Sequence, residues 1–231
     1  MSVFRFKKFN IIQAKSAMKV GTDGVLLGSW VSYKNPTEIL DIGTGTGLIA
    51  LMLAQRNSKA NITAIEIDEI SSIEAHQNIS NSNWNERISI INTSLQDFKT
   101  EIKFDLIVSN PPFFPANKSL KRRDIARHTN SLSFEDLIKH TASLLSEMGK
   151  LAVIIPKIYR IYFCEIAARF SFFCNKICYV KGSQNSESSR VLMEFSFVEY
   201  NLQEEHLVIE KSRGQYTNDY INLCQNFYLK M

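Results

Sequence analysis

The chain has 231 residues, of which 45% are hydrophobic, 11% aromatic and 22% charged. This composition is typical of a globular protein with a full apolar core, and it excludes disordered and collagen-like chains. No apolar run reaches the roughly 18–20 residues that a membrane helix needs, and the N-terminus has no signal-peptide stretch. We therefore expect a cytoplasmic protein.

The net charge of +4 is small but unevenly distributed. The segment 118–128 carries five basic side chains against one acid, Asp124, and so accounts for the whole surplus. A basic segment of this kind indicates a phosphate contact, and a solvated loop is the alternative. Its cations, which we take as candidate RNA-binding residues, are Lys118, Lys121, Arg122, Arg123 and Arg127.

The cysteines indicate neither a disulfide framework nor a metal site. They are scattered through apolar surroundings, at Cys164, Cys174, Cys178 and Cys224. The segment that holds Cys174 and Cys178 has the pattern of a strand, and no histidine lies near it. We expect reduced core thiols and no bound metal.

Residues 1–34 form an N-terminal extension that precedes the main pattern of the chain. The phenylalanines at positions 4, 6 and 9 are typical of strands, and Asp23–Tyr33 predicts a short helix.

From Thr37 onward, short β-rich runs alternate with helical patterns. The β-rich runs are apolar throughout, as expected of strands that are buried on both faces. They are Thr37–Ile42, Ile62–Glu66, Ile88–Ile91, Phe104–Ser109 and Leu151–Ile155, and the helical segments are Leu48–Asn57, Glu69–Ser82 and Phe134–Ser146. The alternation predicts an α/β fold with a doubly wound parallel sheet, whose ligands bind outside the carboxyl ends of the strands.

The last of these helices has a start signal and a stop signal. Ser133 supplies a capping hydroxyl, and Asp136 places an acid at the third helical position. Gly149 predicts the end of the helix.

The C-terminal part of the chain has a different pattern from the alternating segments before it. A helix around Lys157–Arg169 is followed by two long β-rich runs, Phe172–Val180 and Val191–Tyr200. The stretch Gly182–Ser189 that joins them leaves no room for a crossover helix, so the two runs should form an antiparallel pair. No linker or repeat interrupts the chain, and we expect one domain over residues 1–231.

The motif Asp41-Ile-Gly-Thr-Gly-Thr-Gly47 follows the first parallel strand and opens a helix. Its glycines at 43, 45 and 47 allow close approach of a ligand, and the helix start offers free N–H groups. The dinucleotide fingerprint needs a glycine at its sixth place, which Leu48 occupies here. The loop resembles that of the S-adenosylmethionine-dependent methyltransferases. In that resemblance Asp41 orients the loop or meets the amino acid portion of the cofactor, and a turn-capping carboxylate is the alternative.

Further carboxylates occur at or just after the ends of the next two strands. Glu66 ends the second strand, where it is placed to accept hydrogen bonds from both ribose hydroxyls of a nucleoside. Asp68 fits better as the cap of the following helix. Asp97 follows the third strand, where methyltransferases of this kind bind the adenine amine, and a surface helix acid is the alternative.

The tetrapeptide Asn110-Pro-Pro-Phe113 follows the fourth strand. Pro111 and Pro112 cannot continue a central strand, so the backbone turns rigidly at the carboxyl edge of the sheet. An amide-like or aromatic NH2 group is a weak nucleophile because its lone pair is delocalised. The Asn110 side-chain oxygen and the Pro111 carbonyl can accept its two hydrogens, and Phe113 can stack on a planar substrate. A proline-rich turn without function is the alternative.

Taken together, these motifs resemble the tRNA (adenine-N6)-methyltransferases that modify the adenine beside the anticodon of a valine tRNA. The segments that carry the resemblance are Phe4–Phe9, Met18–Gly24, Asp41–Gly47, Asn110–Phe113, Ala126–Thr129, Leu132–Asp136, Arg190–Glu194 and Phe227-Tyr228.

The resemblance implies a Rossmann-like class I methyltransferase with S-adenosylmethionine as cofactor and tRNA as substrate. Its sheet would have seven strands, mostly parallel with the last one antiparallel, and residues 1–34 would close over the cofactor. Lys19, Thr22 and Asp23 would lie near that cofactor. Phe113 stands where many members of the family carry tyrosine, which keeps the stacking face and removes a hydroxyl. The sequence does not decide between monomer and dimer, and a monomer is our working interpretation.

Three alternatives differ in substrate or in class. Asn-Pro-Pro-aromatic turns also serve methylation of a glutamine amide in release factors and of guanine amines in rRNA, in proteins that usually carry an additional N-terminal domain. A nicotinamide oxidoreductase is disfavoured by Leu48 and by the absence of a catalytic Ser/Tyr/Lys arrangement. A non-catalytic RNA-binding protein has no support, since every expected site residue is present.

Overall fold

The computed structural model describes residues 2–32, 34–112 and 132–231. The described strands are β1 (Val3–Arg5), β2 (Asn10–Ile12), β3 (Glu38–Ile42), β4 (Asn61–Glu66), β5 (Ile88–Asn92), β6 (Phe104–Ser109), β7 (Leu145–Pro156), β8 (Phe173–Ser183), β9 (Ser188–Ser196), β10 (Gln203–Ser212) and β11 (Gln215–Tyr216). The described helices are α1 (Thr22–Trp30), α2 (Leu48–Arg56), α3 (Glu69–Ser80), α4 (Phe134–Leu144), α5 (Arg160–Arg169) and α6 (Asn218–Cys224), with 3-10 turns at Asn85–Arg87 and Lys157–Tyr159.

The strands form a small hairpin and one large sheet. The large sheet has the order β11-β10-β8-β9-β7-β6-β3-β4-β5. From β5 to β7 all neighbours are parallel, and β9 runs antiparallel to both β7 and β8. This confirms the doubly wound α/β fold with a late antiparallel strand. It also confirms the antiparallel pairing of the two β-rich runs in the tail.

The expected number of seven strands is wrong, because β10 and β11 extend the large sheet to nine strands in the described part of the chain. β10 pairs in parallel with β8, and β11 folds back against β10. These strands cover the backbone groups that β8 would otherwise expose at the sheet edge. The first four residues of β10 are exposed, so it begins without the apolar run that marks the buried strands in the sequence.

Helices cover both faces of the sheet and bury two apolar clusters. One cluster lies under α1, α2, α3 and α6 and includes Leu26, Met52 and Ile79. The other lies under α4 and α5 and includes Ile138 and Phe163. The N-terminal hairpin of β1 and β2 packs beside the first cluster. No helix in the described ranges is long and apolar enough to cross a membrane.

The predicted start of α4 is confirmed and its predicted stop is wrong. Ser133 caps the helix by accepting a hydrogen bond from the backbone N–H of Asp136 at 3.0 Å. The helix ends at Leu144, and Gly149 lies within β7 at an irregularity in its pairing with β6. A Cβ atom there would stand 2.7 Å from the carbonyl oxygen of Phe104. Gly149 is therefore required by the close approach of two strands and not by a helix terminus.

Candidate active site

A cavity of about 990 Å³ opens at the carboxyl ends of β3, β4, β5 and β6. Such a volume lies at the upper end of small-molecule sites, roughly 300–1,000 Å³. Its position outside the carboxyl edge of a parallel sheet is the one that the sequence predicts. The lining residues fall into short segments, namely 17–24, 42–46, 48–49, 65–68, 71, 93–96, 109–112, 132 and 190.

The glycine loop between β3 and α2 forms the floor of the cavity. Gly43 and Gly45 have positive φ angles of 69° and 58°, and a Cβ atom on either would point into open space. Gly47 has a φ of 84° but does not line the cavity, because it packs against Ile79 and Ala75 of α3. Two of the three predicted glycines therefore face the cavity, and the third lies against α3.

Asp41 lies beneath this loop and does not line the cavity. Its Oδ2 accepts hydrogen bonds from the Thr44 hydroxyl at 2.6 Å and from the Ala50 backbone N–H at 3.1 Å. The carboxyl group is fully buried, and this burial raises its pKa to about 7. Of the two roles implied by the resemblance, the geometry favours orientation of the loop.

Glu66 ends β4 at the wall of the cavity. Its Oε2 accepts a hydrogen bond from the Gly45 backbone N–H at 2.8 Å, and its Oε1 accepts one from the Asp68 backbone N–H at 2.9 Å. Each carboxylate oxygen keeps a second lone pair. The side chain can therefore hold the loop and accept hydrogen bonds from a ligand at the same time. Asp68 caps α3 as predicted, by accepting from the Ser71 N–H.

Asp97 is not among the lining residues, although the three residues before it are. Its side chain is exposed, and its Oδ2 accepts a hydrogen bond from the Ser94 hydroxyl at 2.6 Å. The stretch 94–96 forms this part of the wall instead. That stretch carries no charged residue that would indicate it in the sequence.

Asn110, Pro111 and Pro112 line the cavity directly after β6. The Oδ1 atom of Asn110 is buried and has no hydrogen-bond partner among the described residues. A buried acceptor that is left unpaired is costly, so this amide is a candidate for pairing with a bound ligand. Phe113 and the basic residues Lys118, Lys121, Arg122, Arg123 and Arg127 lie outside the described residues.

The N-terminal extension supplies the opposite wall. Lys19, Thr22 and Asp23, which the resemblance implies to be near the cofactor, line the cavity. Arg190, which was not predicted as a site residue, also lines the cavity and donates from Nε to the Asp23 carboxylate at 2.8 Å. Its position in the sequence could have indicated this role. Arg190 lies near the start of β9, and the start of an antiparallel strand lies beside the carboxyl ends of the neighbouring strands.

Two buried polar side chains of α3 hold the extension in place. One carboxylate, that of Glu74, accepts hydrogen bonds from three consecutive backbone N–H groups, those of residues 14–16, at 2.8–2.9 Å. Asn78 donates to the carbonyl oxygens of Ile12 and Thr46 at 3.0 and 2.9 Å. Burial disfavours ionisation of Glu74, but the three N–H groups hold its pKa below the usual value. This network joins the extension, α3 and the glycine loop. We refer to Glu74 and its three N–H partners as the α3 clasp.

No group of three or more histidine, cysteine or acidic side chains suited to a metal ion occurs within residues 2–32, 34–112 and 132–231. The four cysteines are free thiols, of which Cys178 and Cys224 are buried, whereas Cys164 and Cys174 are only partly buried and are not core residues.

Comparison with known proteins shows the family. Residues 14–164 match the family described as "Methyltransferase small domain". A protein from Flavobacterium psychrophilum named tRNA1(Val) (adenine(37)-N6)-methyltransferase is 47% identical, over 99% of this chain and 100% of its own length. A protein of the same name from Trichodesmium erythraeum is 48% identical, over 98% of both chains.

Solved structures show the same fold. A protein described as a predicted O-methyltransferase from Agrobacterium tumefaciens is similar with a TM-score of 0.72 and 18% identity, over 89% of this chain and 96% of that one. A methyltransferase from Pyrococcus furiosus is similar with a TM-score of 0.60 and 20% identity. The match covers 83% of this chain and 90% of that one. The chain thus belongs to the methyltransferase small domain family and, within it, to the tRNA1(Val) (adenine(37)-N6)-methyltransferases.

Proposed function

We propose that the chain transfers a methyl group from S-adenosylmethionine to the exocyclic N6 amine of adenine 37 in tRNA1(Val). The observation that carries the proposal is the buried Oδ1 of Asn110, which has no partner among the described residues and stands at the wall of the cavity. The names of the full-length relatives supply the substrate.

The residues of the cavity fit S-adenosylmethionine. Gly43 and Gly45 leave open the space that a side chain would fill, and the Glu66 carboxylate can accept hydrogen bonds from both ribose hydroxyls. Lys19, Thr22 and Asp23 contribute the wall on the side of the N-terminal extension. When bound, the cofactor supplies an electrophilic methyl group on a positively charged sulfur.

Asn110 and Pro111 orient the amine that accepts the methyl group. The lone pair of an adenine N6 amine is delocalised into the ring, so the amine attacks well only when its geometry becomes tetrahedral. The Asn110 Oδ1 and the Pro111 carbonyl oxygen accept its two hydrogens and turn the lone pair toward the methyl group. These hydrogen bonds strengthen as the amine becomes cationic, which lowers the barrier selectively. Pro112 keeps the turn rigid, and Phe113 stacks on the adenine.

No strong base is needed in this scheme, because the proton leaves to water after the methyl group has moved. None of the histidines in the described part of the chain lines the cavity. We therefore assign proton transfer to solvent and expect turnover to depend little on the histidines.

The remaining parts of the chain bind and enclose the substrates. Residues 1–34 act as a cover over the cofactor within a single domain, and the α3 clasp fixes this cover. The basic residues Lys118, Lys121, Arg122, Arg123 and Arg127 contact tRNA phosphates, because they carry the whole net positive charge. We place the enzyme in the cytoplasm with its tRNA substrate.

Mass spectrometry of tRNA nucleosides tests the proposal in cells that lack the protein. We expect N6-methyladenosine to disappear from position 37 of tRNA1(Val) and to return when the gene is restored. An unchanged tRNA, with methyl groups missing from rRNA guanines or from a protein glutamine, would assign the enzyme to another planar amine.

A further inference from the structure

A cluster of cationic and aromatic side chains combines residues that follow the end of β7 with residues inside β8 and β10. The Lys157 Nζ atom and the Arg160 Cζ atom stand 6.0 and 5.9 Å from the centre of the Tyr179 ring. The His206 imidazole stacks on the same ring, with centroids 5.3 Å apart and planes at 19°. We call these four residues the Tyr179 cluster.

The two cations of the cluster lack a carboxylate partner among the described residues. No described acid lies within 4.0 Å of the Lys157 or Arg160 nitrogens. Lys176 provides a contrast, since it also lies over an aromatic ring, that of Trp30 at 4.4 Å, and is paired with Glu205 at 3.2 Å. Positive charge without a neighbouring acid is available for an external anion.

Sheet register places the cluster at the same edge as the cavity. Pro156 of β7 and Val180 of β8 both pair with Arg190 of β9, which lines the cavity. Lys157 is the next residue after Pro156, and Tyr179 is the one before Val180. Adjacent strands lie about 5 Å apart, so the cluster begins within two strands of the cavity wall.

The cluster also lies on the face of the sheet that carries α4 and α5. Tyr179 packs against the apolar cluster under those helices, as do Leu132 and Phe134. Leu132 lines the cavity, and the ring of Phe134 lies 5.8 Å from that of Tyr159, which lies between the two cations in sequence. Residues of the cavity wall and of the Tyr179 cluster therefore pack against the same apolar cluster, on one face of the sheet.

We infer that the Tyr179 cluster binds the phosphate backbone of the tRNA whose adenine enters the cavity. The inference rests on the proposed function and adds a second contact, separate from the segment 118–127. The Tyr179 ring orders the Lys157 and Arg160 side chains, so less entropy is lost when they bind phosphates. An anticodon arm whose adenine enters the cavity extends beyond it, and the cluster lies at the same edge of the sheet, within two strands of the cavity wall.

The double variant Lys157→Gln/Arg160→Gln tests the inference. Each lost phosphate contact reduces the magnitude of the negative slope of log K against log salt by about 0.7–0.9, so two contacts reduce it by about 1.4–1.8. At about 0.1 M salt the affinity for a tRNA1(Val) transcript should fall roughly 25–60-fold. The matched control is Lys34→Gln/Lys59→Gln, which removes two cations that precede β3 and β4, at the opposite edge of the sheet.

Binding at several salt concentrations and transfer of a labelled methyl group are measured on the same proteins, with cofactor affinity and thermal unfolding as checks of integrity.

A reduced slope in the cluster variant alone supports the inference. Methyl transfer to tRNA with an unchanged slope would overturn the inference and leave the proposed function standing. A wild-type protein that binds tRNA through the cluster without methylating it would overturn the proposed function and retain the surface. Equal loss of affinity in both double variants would show that only net charge matters, and would also overturn the inference.

Discussion

The Glu66 carboxylate and the backbone N–H of Gly45 are joined by a hydrogen bond of 2.8 Å. This contact ties the end of β4 to the glycine loop that follows β3. Gly45 has a positive φ at the point of contact, so its N–H reaches the acid while its Cα faces the cavity. One carboxylate thus shapes the loop and lines the site that the loop encloses.

This double role predicts the effect of Glu66→Ala. Cofactor binding should weaken by about 1.5–3 kcal/mol, the range for hydrogen bonds to a charged group. Titration calorimetry measures the affinity, and Glu86→Ala, which removes an exposed acid, serves as the matched control. Unchanged affinity in a folded Glu66→Ala protein would contradict the assignment of Glu66 to the cofactor.

Asp41 predicts a pH dependence of stability. Burial raises its pKa from an ordinary value of 3.8 to about 7, so between these values the folded chain binds more protons than the unfolded chain. Stability must then fall as the pH rises through this window. The Asp41→Asn variant lacks the titration. Between about pH 5 and pH 8 the free energy of unfolding of the wild type should fall by roughly 2–3 kcal/mol more than that of the variant. Urea unfolding at both pH values measures the difference, and parallel pH profiles would refute it.

The α3 clasp predicts that Glu74 acts on the cofactor from a distance. In Glu74→Gln an amide NH2 faces at least one of the three backbone N–H groups, so the extension should loosen. We expect the free energy of unfolding to fall by about 1–3 kcal/mol. Cofactor affinity should fall at least about fivefold, because the extension lines the cavity. Glu69→Gln, an exposed acid on the same helix, is the control. A destabilised variant with native cofactor affinity would reduce the clasp to a purely structural element.

Much of the fold could be predicted because its strands are apolar on both faces and its turns carry glycine or proline. β10 escaped prediction because it lies beside the short edge strand β11, at the margin of the sheet, where a strand needs no apolar run. α3 shows a second reason. Its Ile70 and Ile73 are 49% and 62% exposed, whereas Glu74 and Asn78 are buried against the N-terminal extension. Helical spacing of apolar residues therefore indicated the helix but not its buried face.

Some residues of the candidate site could likewise be predicted from the sequence, and others could not. The glycine loop, Glu66 and Asn110 could be predicted because each follows a strand directly, and parallel strands bring their carboxyl ends to one edge. Arg190 and Glu74 could not, since their positions depend on the direction of β9 and on the path of the extension. These are tertiary relationships, which no local pattern encodes.

The most direct test of the account is single-turnover methyl transfer from labelled S-adenosylmethionine to tRNA1(Val) by the Asn110→Ala protein. The Asn110 hydrogen bond gains strength only in the transition state, so its loss should appear in the rate and not in binding. We expect the rate to fall at least about 100-fold, with affinities for cofactor and tRNA close to those of the wild type. A normal rate would contradict the account, and so would a loss of rate accompanied by a loss of cofactor binding, which would indicate a collapsed turn.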